Sequence, residues 1–145
     1  MTTAHTLEGL LAAARARISR FEPREAYEAA ARGALIVDTR SREARERDGV
    51  VPGALHIPRS VLEWRVAADA ELRNPHVRGL DQTLVLLCDH GCSTVLAAAT
   101  LVDLGYDGAG DVIGGFAAWK AAGLPVGDAP PPTPGLLGMG SPDPV

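Results

Sequence analysis

Cys88 and Cys92 stand four residues apart in LLCDHGCSTV (86–95), where an apolar run halts at a thiol, turns through a glycine and resumes as a helical pattern. A strand ending at Cys88 and a helix beginning near Ser93 direct the N–H groups of the turn toward one point. The unpaired N–H groups of the first helical turn aim at the same point, where the Cys88 sulfur would lie. Gly91 supplies the backbone freedom such a ring needs. An ordinary thiol is only about 3% thiolate at pH 7, and a helix N-terminus moves that balance toward the anion. The stretch is therefore predicted to hold a sulfur anion, and the chemistry that follows is nucleophilic. Two other chemistries fail on spacing. A Cys-x5-Arg phosphatase needs an arginine six residues after its nucleophile, and position 94 is Thr. The cysteines, with His5, His56, His76 and His90, show no metal-ligand spacing, so neither a metal nor a cofactor is expected.

The elements that must position Cys88 can be read from periodicity. Leu7, Leu10, Leu11, Ala14 and Ile18 fall at helical spacing, which predicts an amphipathic helical extension over residues 1–17, helical from 6 to 17. ISRF (18–21) reads as an edge strand, and a helix runs from Pro23 to a C-cap at Gly33. ALIVD (34–38) is a strand covered on both faces, SREARERDG (41–49) a charged surface helix, and Leu55 to Ile57 a short strand. SVLEWRVAA (60–68) is predicted helical and NPHVRG (74–79) a loop. TLVLLC (83–88), the most hydrophobic strand, belongs at the centre of the sheet. STVLAAATLVDLG (93–105) is a buried helix that Ser93 or Thr94 can cap; DVIGG (111–115) is a last strand and FAAWKAAG (116–123) a last helix. Strands alternating with helices predict right-handed βαβ units and a parallel sheet with helices on both faces. Ligands in such sheets bind beyond the carboxyl ends of the strands, where Cys88 stands.

Composition bounds the rest. The chain has 145 residues, a net charge of −4, and 13 of its 14 basic residues are scattered arginines, Lys120 being the only lysine; nucleic acid is not an expected partner. No apolar run is long enough for a membrane span and no basic leader precedes one, so a cytoplasmic protein with no membrane partner is expected. Six of the 11 prolines lie between 130 and 144, which predicts a disordered Pro/Gly-rich tail over residues 127–145 beyond a domain at 18–126.

LIVDTR (35–40), GVVPGALHIP (49–58), LCDHGCST (87–94) and DVIGGFAAW (111–119) occur in the order and spacing of the rhodanese family of sulfurtransferases, and the resemblance covers about residues 18–126. The loop resembles that of short single-domain bacterial forms reading Cys-x-His-Gly-x-Ser-Ser, and SVLEWR (60–65) resembles an actinobacterial variety. The resemblance implies an α/β three-layer fold with a five-stranded, mostly parallel sheet. It further implies that Cys88 takes the outer sulfur of a donor such as thiosulfate as a persulfide. A thiophilic acceptor, cyanide or a thiol, would then take that sulfur away. Asp89, His90, Gly91, Cys92, Ser93 and Thr94 form the implied active-site loop, with Ser93 and Thr94 read as helix caps whose hydroxyls also reach the persulfide.

Two departures stand out. Many rhodaneses carry arginine in this loop and here there is none, while Asp89 places a carboxylate that repels a dianionic donor and opposes thiolate formation. Cys92 has two readings: a neutral substitution with its side chain outward, or a resolving thiol that accepts the sulfur or bridges to Cys88. His90 is either a general base or an exposed, hydrogen-bonding loop residue. Asp38 and Arg40 resemble the family's Asp-x-Arg motif, for which a structural ion pair is favoured over catalysis. Arg59 and Arg65 flank a segment that by resemblance borders the pocket; each is a candidate replacement for the loop arginine or a solvated surface residue. Phe116 is a candidate for the pocket mouth, and Trp64 and Trp119 read as core or rim. Besides the sulfurtransferase, two functions stay open: a redox-responsive Cys88/Cys92 dithiol switch and a non-catalytic binding module of the same fold. The sequence sets no oligomeric state.

Overall fold

Five short segments become the strands of a single sheet in the computed structural model, which describes residues 5–135 and 138–145. In chain order the elements are α1 (Leu7–Arg15), β1 (Ser19–Phe21), α2 (Pro23–Ala31), β2 (Leu35–Asp38), α3 (Arg42–Asp48), β3 (Leu55–His56), α4 (Leu62–Val66), β4 (Leu84–Leu87), α5 (Ser93–Asp103), β5 (Gly110–Val112) and α6 (Gly115–Ala121). The strand order is β1-β5-β4-β2-β3 and every pairing is parallel, so β4 is the middle strand and Cys88 leaves its carboxyl end.

Alternation along β2 and β4 builds two cores. Leu35, Val37, Leu84 and Leu86 face one side, packing with Leu62 and Val66 of α4 and Ala97, Ala98 and Leu101 of α5. Ile36, Val85 and Leu87 face the other, with Ala26 of α2 and Phe116 and Trp119 of α6. The side-chain period of two along a strand requires this split. Each fully buried leucine or valine contributes roughly 1.5–3 kcal/mol. α1 lies on α5, where Ala14 packs with Val95 and Ala99. Its N-terminus is capped by the Thr6 hydroxyl, which accepts from Gly9 N–H at 2.9 Å.

Two local expectations change. The helix predicted over 60–68 is a 3₁₀ turn, Arg59–Val61, followed by the five-residue α4, with Val61 at φ −119° breaking the run between them. Ser93 and Thr94 do not cap α5: Cys92 occupies the cap position with no side-chain bond to the helix, and the two hydroxyls turn toward the sulfur. The described part of the Pro/Gly-rich segment 127–145 makes hydrogen bonds to the domain. Gly127 and Val50 exchange backbone hydrogen bonds at 2.8 Å, Ser141 N–H donates to His56 O at 3.0 Å, and Val145 N–H to Ala54 O at 3.0 Å. Asn74 Nδ2 donates to Pro142 O at 3.1 Å, and His76 Nε2 lies 2.9 Å from Asp143 Oδ1. The Ser141 bond is to the β3 edge, whose outer backbone groups no further strand among the described residues satisfies. Among the described residues no helix is long and apolar enough to cross a membrane.

Candidate active site

The loop after β4 is held from behind. Phe116 N–H donates to Cys88 O at 2.7 Å and Ala117 N–H to Asp89 O at 3.0 Å, so the first turn of α6 takes up the loop's carbonyls. With those carbonyls turned away, the loop's N–H groups face the sulfur. The close approach needs glycine on both sides. Gly91 (φ +83°) and Gly115 (φ +64°) are left-handed, and a Cβ on Gly115 would lie 2.4 Å from Cys88 O and 2.7 Å from Gly91 N. The sequence reading treated Gly114 and Gly115 as a strand end and missed this role. Their left-handed backbone is one that only glycine adopts freely, and that was the available signal.

Cys88 is 7% exposed, and its Sγ accepts from Gly91 N–H at 3.2 Å and lies 3.4 Å from Thr94 Oγ1. Burial pushes the thiol up. The Thr94 hydroxyl and N–H, the Ser93 hydroxyl and Gly91 N–H together outweigh that and hold it below the ordinary cysteine range. The donors are neutral, so the anion has dipoles around it and no counter-ion in contact.

Cys92 is exposed and its sulfur is free, as is that of Cys88. His90 is exposed, Asp89 half-buried and Thr94 fully buried. Asp89, His90, Phe116 and Ala117 line a groove of about 480 Å³ whose far wall is Arg47, Asp48 and Lys120. Arg59 and Arg65 make their bonds elsewhere. Arg59 Nη1 pairs with both Glu63 oxygens at 3.0 Å, and buried Arg65 donates to Leu72 O. The cations beside the loop are Arg47 and Lys120, from α3 and α6, elements that no loop motif ties to Cys88. Arg47 is bonded to Asp48 through Nε at 3.0 Å and Nη2 at 2.8 Å.

Asp38 and Arg40 form a buried network at the end of β2. Asp38 accepts from Arg40 Nε at 3.0 Å, Arg40 Nη2 at 2.8 Å and Arg45 Nε at 3.1 Å. The Arg40 guanidinium lies 3.9 Å over the Phe116 ring and donates to Gly49 O at 2.9 Å. His56 Nε2 donates to Arg40 O at 2.8 Å; burial, with Arg45 nearby, pushes its pKa down, so it stays neutral. Trp119 is buried, donating to Pro125 O at 2.8 Å, whereas Trp64 is 60% exposed.

Residues 22–122 match the family model described as Rhodanese-like domain. The chain is 32% identical over 108 residues to thiosulfate sulfurtransferase GlpE of Haemophilus influenzae, covering 74% of this chain and 92% of that protein. Among solved structures, a protein of unknown function from Rhodopseudomonas palustris, described as a possible tyrosine phosphatase, superposes with TM-score 0.77 at 29% identity. That match covers 87% of this chain and 97% of the other. The human single-domain sulfurtransferase superposes with TM-score 0.57 at 27% identity, over 72% of this chain and 96% of its own.

Proposed function

The chain belongs to the rhodanese family, and on that premise we propose that it is a sulfurtransferase carrying a sulfane sulfur as a persulfide on Cys88. The observation that carries the reading is the Cys88 sulfur at the carboxyl end of the middle strand, 3.2 Å from Gly91 N–H and 3.4 Å from the Thr94 hydroxyl. Similarity to thiosulfate sulfurtransferase GlpE supports thiosulfate as a donor.

The Cys88 thiolate attacks the donor's outer sulfur. With thiosulfate, the S–S bond of the donor breaks, sulfite leaves with the bonding pair, and Cys88 carries the persulfide. An acceptor, cyanide or a thiolate, then attacks the terminal sulfur, and the pair of the breaking S–S bond returns to Cys88 as thiolate. Negative charge sits on sulfur at each stage, and the N–H groups of the loop, with the Thr94 hydroxyl, stabilise it. Arg47 and Lys120 supply positive charge along the groove that the loop itself lacks, beside Asp89. The phosphatase description of the R. palustris protein is not carried over, because Thr94 stands where a Cys-x5-Arg enzyme places its arginine.

Intact-mass measurement after thiosulfate and then cyanide tests the reading. A gain of one sulfur atom, reversed by cyanide, absent in Cys88→Ser and retained in Cys92→Ser, is expected. Loss of two hydrogens under mild oxidant, with no sulfur uptake from any donor, would instead establish the Cys88/Cys92 dithiol switch. No mass change in either experiment would leave a binding module.

A further inference from the structure

One buried ionisable group beside the Cys88 loop takes no part in these steps. Asp111 lies in β5, next to β4, with no exposed surface. Its Oδ1 accepts from Arg20 Nε of β1 at 2.7 Å, and its Oδ2 from Arg20 Nη2 at 3.4 Å, across the register pair Arg20–Asp111. The same Oδ2 lies 3.4 Å from Thr94 Oγ1, which lies 3.4 Å from Cys88 Sγ. A chain of polar contacts thus runs from the edge strand to the sulfur: Arg20, Asp111, Thr94, Cys88.

The Thr94 hydroxyl has one proton and donates to one partner at a time. The contact to Asp111 is long for an O–H···O bond, while 3.4 Å is an ordinary reach to sulfur, so Asp111 does not hold the proton tightly and it can turn to either side. With a neutral thiol, Cys88 S–H donates to Thr94 Oγ1, and Thr94 donates to Asp111. When the thiol proton leaves to solvent, the Thr94 proton stays on Oγ1 and turns to the sulfur, while Asp111 keeps Arg20. The carboxylate and the thiolate therefore compete for one donor.

The geometry points to Asp111 as a positioning residue that, through the Thr94 hydroxyl, sets how readily Cys88 gives up its proton. The effect is a brake on ionisation, and it keeps the sulfur basic enough to be a strong nucleophile. Other charged or titratable groups lie around the loop: Asp89 and His90 on it, Arg47 and Asp48 of α3 and Lys120 of α6 along the adjoining groove, and Arg40 with Asp38 against Phe116. None of these has a hydroxyl linking it to the sulfur, which is what distinguishes Asp111.

The inference rests on the persulfide reading only in that both require a Cys88 thiolate. Its test uses no sulfur donor: the pH dependence of Cys88 alkylation by iodoacetamide, measured in the full chain carrying Cys92→Ser. Thr94→Val moves the midpoint up, slowing alkylation on the acid limb roughly tenfold at equal pH. Thr94→Ser restores it. Asp111→Asn moves the midpoint down, with acid-limb alkylation faster by roughly threefold, and this gain shrinks by half or more in Thr94→Val. An unchanged midpoint in Asp111→Asn, with only a lower melting temperature, overturns the inference in favour of a structural ion pair. An equal shift with and without the Thr94 hydroxyl also overturns it, leaving Asp111 as a bare charge. If Asp111→Asn does not fold, Arg20→Gln decides. It leaves the carboxylate without its cation, so the midpoint rises; an unmoved midpoint overturns the inference. Sulfur uptake can fail while these shifts appear, and the reverse, so the two readings stand or fall separately.

Discussion

The carboxyl ends of β2 and β4 lie side by side in one sheet and hold an anion-forming group by opposite means. At the end of β2, Asp38 is gripped by two guanidinium groups, Arg40 at 2.8 and 3.0 Å and Arg45 at 3.1 Å, all buried. At the end of β4, Cys88 has an N–H group at 3.2 Å and a hydroxyl at 3.4 Å, both neutral. A carboxylate held by ion pairs is locked, since removing any member leaves a charge buried without compensation. A sulfur anion held by dipoles keeps its electron pair free for attack. In the proposed reading the end of β2 is structural and the end of β4 carries the chemistry.

The sharpest way to break this contrast is Asp38→Ala, which strands two buried arginines whose Arg40 Nη1 and Arg45 Nη2 already lack partners. Urea unfolding is expected to show a loss of about 3–5 kcal/mol, whereas Cys88→Ser, which strands no charge, is expected to cost far less and to abolish sulfur uptake. Gly115→Ala comes next. A Cβ forced into contact with Cys88 O and Gly91 N at φ +64° is expected to cost about 1–3 kcal/mol and to raise the alkylation midpoint of Cys88. Deleting residues 127–145 removes the backbone bonds that Gly127, Ser141 and Val145 make to the domain, with an expected loss of about 1–2 kcal/mol by calorimetry. An unchanged melting temperature would restore the picture of a free tail.

The smallest effect is the pH linkage of Cys88 itself. Its thiol is held below the ordinary range in the folded protein, so the unfolded chain binds its proton more tightly. That contribution to stability is absent in acid, grows as pH rises through the folded value, and is complete above the unfolded one. The stability difference between the wild type and Cys88→Ser should therefore widen from neutrality toward alkaline pH in a urea series. A constant difference would mean that the dipoles around the sulfur do not favour its anion.

Much of this was readable in the chain. TLVLLC is continuously apolar because β4 is covered on both faces, and the halt at Cys88 marks its carboxyl end. Gly91 after a strand and before a helix announces a turn that needs left-handed backbone. Asp38 and Arg40, two apart at a strand end, announce an ion pair. For the segment 127–145, proline content reports what it cannot build alone, and says nothing of hydrogen-bonding groups elsewhere in the chain that can hold it. Arg59 and Arg65 were offered as the missing cation because they are near a family motif in sequence; Arg65 is spent on Leu72 O and Arg59 on Glu63.

Local pattern by itself determined the strands, the order of helices between them, and the thiol at the end of the central strand, because each depends on periodicity and on neighbours a few residues away. Tertiary structure alone decided which groups meet that thiol. The Gly114–Gly115 turn behind it, the Arg47–Lys120 wall beside it and the Asp111–Thr94 contact under it join residues far apart in the chain. Only the parallel stacking of β1, β5, β4 and β2, with helices on both faces, brings them together around the loop.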